Sequence, residues 1–96
     1  MAASGIRFVA PAFVLQKSKE ESALPRYGLT ATKKLGNAVV RNRARRRLRA
    51  LADNHLVPKA LAFEYVLVAR DGTLTKPFAD IVRDLEKALK VLKCLK

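Results

Sequence analysis

The sequence predicts one α/β domain, a two-layer sandwich in which helices pack on a small central sheet in the order β-β-α-β-α. Its 96 residues suit a single domain spanning residues 1–96, and half of them are apolar, enough for one modest core. In the segments expected to be strands, apolar residues either alternate with polar ones or form a continuous apolar run. They recur every three or four positions over residues 38–52 and 78–92, as helices require.

Two strands are predicted in the first third of the chain. Residues 6–17 are rich in Phe, Val and Leu, and Pro11 prevents a long central-strand ladder there. The polar residues 19–22 predict a hairpin turn into a second strand over residues 26–32, where apolar and polar side chains alternate. Gly28 in the middle of that strand suggests a bulge or a close backbone approach.

A helix is predicted next, from about Ala38 to about Ala52. Asn37 is the expected N-cap, and residues 54–58 are expected to end the helix. Spacings of four, four and three place the apolar side chains on one face, which should be the core side: Val40, Ala44, Leu48 and Leu51.

The last third predicts a buried strand followed by an amphipathic helix. Residues 63–69 form a nearly continuous apolar run typical of a central strand, and Asp71-Gly72 indicates a turn. Pro77 suits the first helical position, and the apolar periodicity that follows continues to about Leu95.

The charge is concentrated in one segment. Residues 22–52 carry nine Lys or Arg and no Asp or Glu, which supplies +9 of the formal net charge of +12. Six arginines lie within residues 41–49, and like charges at i, i+4 destabilise an isolated helix. A solvated helix face usually mixes signs, so this one indicates an anionic partner, and planar guanidinium groups favour phosphate. Charge alone does not decide between RNA and DNA.

Other function classes lack support in the sequence. His55 stands in an expected loop, and Cys94 is the only cysteine, so no internal disulfide can form and a reducing, cytoplasmic location is expected. No signal peptide and no membrane span are evident. No zinc-ligand spacing occurs, and three carboxylates in the last helix have no complementary acidic patch: Asp80, Asp84 and Glu86. We expect no catalytic residue in this chain.

The segment from Thr32 to Arg49, TKKLGNAVVRNRARRRLR, resembles the signature of the bacterial ribonuclease P protein component. The family's hallmark is an Arg-Asn-Arg triplet on a helix, and here it is Arg41-Asn42-Arg43. Flanking segments resemble the family's first, second and last strands and its C-terminal helix: residues 13–15, 26–29, 65–70 and 74–89. The resemblance therefore covers nearly the whole chain.

The resemblance implies a fold and a function. The fold is an α/β sandwich with a left-handed β-α-β crossover through the basic helix. The function is that of a protein subunit in a ribonucleoprotein that removes the 5′ leader from precursor tRNA. The catalytic site and most of the Mg²⁺ then belong to the RNA, and no protein cofactor is expected. The residues implied to face the RNA are Lys33, Lys34, Arg41, Asn42, Arg43, Arg45, Arg46 and Arg49.

A groove for the leader is also implied, and this chain departs from the family pattern near it. We expect the groove to involve Phe13, Gln16, Thr30 and Thr32. Family members usually carry a basic N-terminal helix ahead of the first strand, which we expect to be missing here. Gln16 stands where many members have an aromatic residue, which weakens the expectation of base stacking.

Three alternatives remain at this point. A structural RNA-binding protein of the ribosomal type has the same size and charge. A DNA-binding module is less favoured, since only Asn42 in the basic row offers adenine readout. A membrane-surface helix is least favoured, because residues 38–52 include no Trp or Phe to insert.

Overall fold

A four-stranded sheet with helices on one face makes up residues 6–95, the part of the chain that the computed structural model describes. The strands are β1 (Ile6–Val9), β2 (Phe13–Glu21), β3 (Arg26–Thr30) and β4 (Phe63–Ala69). Their order across the sheet is β1-β2-β4-β3. The mixed α/β fold class predicted from the sequence is confirmed, as is the central position of β4.

The described residues also form three α-helices, one between β3 and β4 and two after β4. They are α1 (Ala38–Leu51), α2 (Gly72–Thr75) and α3 (Phe78–Val91). A single 3₁₀ turn, Lys33–Leu35, precedes α1, and a π-helical turn, Ala52–Leu56, continues it. The predicted end of α1, at about Ala52, is confirmed to within one residue. The break expected over residues 54–58 is wrong in its first part, because residues 52–56 form a π-helical turn and not a loop.

The sheet pairing differs from the hairpin predicted between the first two strands. Strand β2 pairs antiparallel with β1 and β4, whereas β3 pairs parallel with β4. A parallel pair needs a crossover connection, and α1 with its flanking turns supplies it. The β-α-β unit that the resemblance implied is thus β3-α1-β4.

Pro11 divides the first predicted strand into β1 and β2, which adds a strand to the predicted order. The amide of Ala10 donates to the carbonyl of Phe13 at 2.8 Å and closes the turn around Pro11. Gly72 packs directly against this turn, where a Cβ would collide with the Pro11 carbonyl. Gly28 has no such role, because a Cβ there would meet nothing within 4 Å. The register irregularity of the sheet lies in β2 instead, between Lys17 and Glu21.

Helix α3 begins one residue after the predicted start and ends four residues before the predicted end. Pro77 is its N-cap rather than its first residue. At the other end, the amide of Cys94 donates to the Leu89 carbonyl at 2.9 Å, and that of Lys93 to the Lys90 carbonyl at 3.1 Å. This pair of bonds is a Schellman ending, and it places Lys93 in the left-handed conformation with φ of 57°.

One core joins the sheet to the helices. Side chains alternate along residues 13–18 of β2 and along β4, so that the odd-numbered positions face the helices and the even-numbered ones lie on the opposite, open face. The buried set from the sheet and from α1 and α3 includes Phe13, Leu15, Tyr65, Leu67, Leu48, Leu51, Ile81, Leu85 and Leu89. Both long helices therefore cover the same face, and their polar sides form the outer surface of the helix layer.

Candidate nucleic-acid interface

The start of α1 is fixed by Gly36 and Asn37. Gly36 adopts φ of 151° and ψ of −162°, a conformation essentially restricted to glycine. A Cβ at Gly36 would lie 3.0 Å from the Cβ of Val40, so the turn also packs too closely for a side chain. The Asn37 side chain accepts a hydrogen bond of 3.0 Å from the Val40 amide, which confirms the predicted N-cap.

One side of α1 is buried and sets the orientation of the other. Ala44, Leu48 and Leu51 are fully buried, as predicted. Val40, also expected on the core side, is only half-buried, because it lies in the first turn beside Gly36. The helix is thereby held with its basic side on the surface.

The basic side of α1 carries most of the residues implied to face RNA. Asn42, Arg43, Arg46 and Arg49 are exposed. Arg41 and Arg45 are half-buried on one flank, and the guanidinium of Arg45 donates to the side-chain oxygen of Asn42 at 3.0 Å. The exposed Lys33 and Lys34 precede the helix in the 3₁₀ turn. We call this set the arginine face: Lys33, Lys34, Arg41, Asn42, Arg43, Arg45, Arg46 and Arg49.

No acidic side chain neutralises the arginine face within residues 6–95. The two ion pairs there join Lys59 to Glu86 and Arg83 to Asp80, and neither involves α1. The buried Nε of Arg41 has no hydrogen-bond partner either. The exposed guanidinium groups of Arg43, Arg46 and Arg49 are therefore available to an external anion, which they can bind through charge-assisted, bidentate hydrogen bonds.

Arg47 differs from the other five arginines of residues 41–49, and no local sequence pattern indicates its role. Its guanidinium donates to the Leu74 carbonyl at 3.3 Å and lies 5.8 Å from the centre of the Phe78 ring. Arg47 thus ties α1 to α2 and α3. It was not among the residues expected to face RNA, and its contacts are internal.

A tyrosine on β3 connects the sheet to the end of the basic helix. The Tyr27 hydroxyl donates a hydrogen bond of 2.5 Å to Asp53, the first acidic residue after the basic segment. This bond, together with partial burial, raises the pKa of Tyr27 above its ordinary value of 10.0. The nearby Arg49 acts in the opposite direction. The contact positions the π turn, and with it the C-terminal end of the arginine face.

The open face of the sheet brings together two of the four residues expected in a leader groove. Gln16 pairs with Val66, which in turn pairs with Gly28; Val68, two residues along β4, pairs with Thr30. These even-numbered positions share the face that the helices leave uncovered. Gln16 is half-buried and Thr30 is exposed.

Phe13 does not lie on this face, so its assignment to the groove is wrong. It is fully buried and pairs with Ala69 on the side of the sheet that faces the helices. The cause is the two-residue period of a strand, which places Phe13 and Gln16 on opposite faces. Thr32 is exposed but lies beyond the end of β3, as the N-cap of the 3₁₀ turn that leads to the arginine face.

Titratable groups elsewhere occupy structural positions. His55 is half-buried in the π turn, with its ring 6.2 Å from Phe78, so the expected surface loop is wrong. Cys94 is fully buried, and burial raises the pKa of its thiol. Among residues 6–95, no three His, Cys, Asp or Glu side chains are grouped to hold a metal. Nor is any helix in this part of the chain long and apolar enough to cross a membrane.

Comparison with known proteins decides the family. The family model described as Ribonuclease P matches residues 1–93. The chain belongs to the ribonuclease P protein family. Membership implies an RNA partner and a place in tRNA processing, in agreement with the uncompensated arginine face.

Individual relatives agree with this assignment. The ribonuclease P protein component of Erythrobacter litoralis is 40% identical over 87 residues, covering 90% of this chain and 72% of the relative. That of Gluconacetobacter diazotrophicus is 42% identical over 92 residues, covering 94% of this chain and 79% of the relative. A Staphylococcus aureus RNase P protein mutant, named for defective mRNA degradation activity, superimposes with a TM-score of 0.74 at 32% identity. That match covers 94% of this chain and 76% of the other.

Proposed function

We propose that this chain is the protein subunit of a ribonucleoprotein ribonuclease P that removes the 5′ leader of precursor tRNA. The arginine face binds the catalytic RNA, the open sheet face holds the leader, and the catalytic site belongs to the RNA. The observation that carries the proposal is the arginine face itself. Its cations lie on α1 and on the 3₁₀ turn before it, and they have no acidic ion-pair partner among the described residues.

Phosphate neutralisation accounts for the binding. About six contacts from the arginine face alone give a log–log salt slope of roughly −4 to −5, between the single-strand and duplex limits. A slope near zero would exclude the arginine face as the contact surface. A structural RNA-binding protein of the ribosomal type would share this slope, so binding alone does not separate the two functions.

The open face suits a single strand, and it lies across the sheet from the arginine face. Gln16 and Thr30 offer hydrogen bonds beside the half-buried Val66 and Val68, with the exposed Arg26 and Arg7 towards the two edges. No principal dimension of the molecule exceeds 34 Å. Catalytic RNA on one side and leader on the other would therefore be held close together without competing for the same side chains.

The contribution of the protein is positional and electrostatic. Two polyanions repel each other, and a cationic protein between them lowers the salt and Mg²⁺ that the RNA requires. Mg²⁺ remains a cofactor of the holoenzyme and is held mainly by RNA. The main effect is tighter substrate binding.

Reconstitution tests the proposal. The RNA subunit from the same genome is assayed on precursor tRNAs at low Mg²⁺, with and without protein, while the 5′ leader is lengthened stepwise. We expect the protein to restore cleavage and to lower KM most for leaders long enough to reach the open face. No effect on cleavage, despite tight RNA binding, would favour the ribosomal-type alternative. An effect confined to the chemical step would overturn the positional role.

A further inference from the structure

Helix α3 carries a second row of basic residues, and the proposed function as stated above involves none of them. Its most exposed charged positions are all basic: Arg83, Lys87 and Lys90, followed by Lys93 just past its end. The acidic residues of the helix, Asp80, Asp84 and Glu86, are half-buried beside that row. The solvent side of α3 is therefore cationic even though the helix as a whole mixes charges.

Three of these cations have no ion-pair partner among the described residues. Arg83 pairs with Asp80, and Glu86 pairs at 2.6 Å with Lys59 rather than with a residue of its own helix. The pairing with Lys59 holds the pKa of Glu86 below its usual range, with a smaller contribution from the charge of Lys90. The remaining Lys87, Lys90 and Lys93 form what we call the C-terminal lysine row.

Fold stability accounts for only part of this row. Lysines in the last turn of a helix interact favourably with its dipole, but Lys87 lies a turn further in. At Lys93, fold stability disfavours the lysine. The chain is left-handed there, with φ of 57°, at the position of a Schellman ending where glycine is preferred. A lysine at this position carries a backbone cost that glycine would not.

The geometry points to the C-terminal lysine row as a second contact for the catalytic RNA. This rests on the proposed function. Both α1 and α3 pack on the same side of the sheet, so the arginine face and the lysine row lie on the outer surface of one helix layer. The longest dimension of the molecule is 34 Å, which a folded RNA can span in a single contact. An RNA bound to the arginine face can thus also contact the lysine row, whereas the leader lies on the opposite side of the sheet.

The test measures binding of the isolated RNA subunit across a salt series. We expect the triple variant Lys87→Ala/Lys90→Ala/Lys93→Ala to flatten the log–log salt slope by about 2 to 3 and to weaken binding roughly 10- to 100-fold at 0.15 M salt. The matched triple Lys→Arg variant should bind like the parent. Lys19→Ala, which removes one exposed lysine from β2, is the control for the loss of a single charge outside the row and is compared with Lys87→Ala alone.

Lys93→Gly separates binding from folding. It removes a cation and relieves the left-handed lysine, so it should raise the melting temperature while weakening RNA binding. An unchanged affinity and slope in the triple variant would overturn the second contact. If Arg46→Ala binds normally as well, the proposed function fails with it; if Arg46→Ala alone weakens binding, only the lysine row is excluded. A loss seen with precursor tRNA but not with the RNA subunit would assign the row to the substrate and also contradict the inference.

Discussion

Tyr27 on β3 donates a 2.5 Å hydrogen bond to Asp53 in the π turn, joining one edge of the sheet to the end of the arginine helix. The two residues are 26 positions apart, and the whole arginine face lies between them in the sequence. Asp53 accepts this bond while remaining free of any ion pair with an α1 arginine. The first acidic residue after the basic segment therefore accepts a hydrogen bond from a neutral hydroxyl and forms no ion pair with a guanidinium group of α1.

This contact predicts a pH-dependent stability difference. Because the pKa of Tyr27 is raised in the folded state, its contribution is fully present below pH 10 and is lost as pH rises through the folded pKa. Tyr27→Phe should lower the free energy of unfolding by about 1 kcal/mol at pH 7. The difference from the parent should shrink above pH 10. Melting curves of both proteins at matched pH values measure it, and the comparison cancels the titration of the lysines.

Asp53→Asn is the companion variant. The amide oxygen can still accept the Tyr27 hydrogen bond, but the carboxylate that raises the pKa of Tyr27 is gone. The change in tyrosine absorbance that reports ionisation of Tyr27 should then occur at a pH closer to 10 than it does in the parent protein. A parent in which Tyr27 titrates at or below its ordinary value would contradict the structural role of the contact.

The two sides of α1 should respond differently to truncation. Arg46→Ala removes an exposed side chain, so the free energy of unfolding should change by no more than about 0.5 kcal/mol while RNA binding weakens. Leu48→Ala empties a fully buried position and should cost roughly 2 to 5 kcal/mol. Denaturant titration and RNA binding on the same two proteins check this. Equal loss of stability in both would mean that the faces are misassigned.

Local chemistry made much of α1 and β4 predictable. The Asn37 cap, the apolar spacing of α1 and the apolar run of β4 each act within a few residues, and their expected positions hold. Sheet pairing depends on which strands meet after the chain has folded. Nothing within residues 6–32 indicates that β4 inserts between β2 and β3, so the hairpin prediction failed.

In the candidate site, too, the grouping of residues that are close in sequence was predictable, and contacts between distant residues were not. The residues of the arginine face are contiguous in sequence and lie together as expected. Phe13 was wrongly assigned to the groove, because side chains alternate along β2 and place Phe13 on the face opposite Gln16. The internal contacts of Arg47 and Tyr27 join residues 26 or 27 positions apart, a separation at which side-chain pairing leaves no local pattern.

Two glycines should tolerate alanine very differently. Gly36→Ala places a Cβ 3.0 Å from Val40 in a backbone conformation that costs other residues about 1 to 3 kcal/mol. For a domain of this size each kcal/mol corresponds to about 4 to 8 °C in melting temperature. Gly28→Ala meets open space and should be neutral or slightly stabilising. Similar melting temperatures for the two variants would show that the turn before α1 is not held as described.

The last prediction is that the protein cleaves no RNA by itself. Phosphodiester cleavage needs a positioned acid or base, a metal cluster or an activated nucleophile. Within residues 6–95 the thiol is fully buried, and no three potential ligands are grouped for a metal. RNA-free, nuclease-free protein should therefore leave precursor tRNA intact, with or without Mg²⁺. Because the S. aureus mutant is named for defective mRNA degradation activity, a messenger RNA is included as a second substrate in the same assay. Cleavage of either substrate that co-purifies with the protein and is lost in Arg46→Ala would place a nuclease activity on the chain itself. If cleavage appears only when the RNA subunit is added, the chemistry belongs to the RNA, and the arginine face acts by holding it in place.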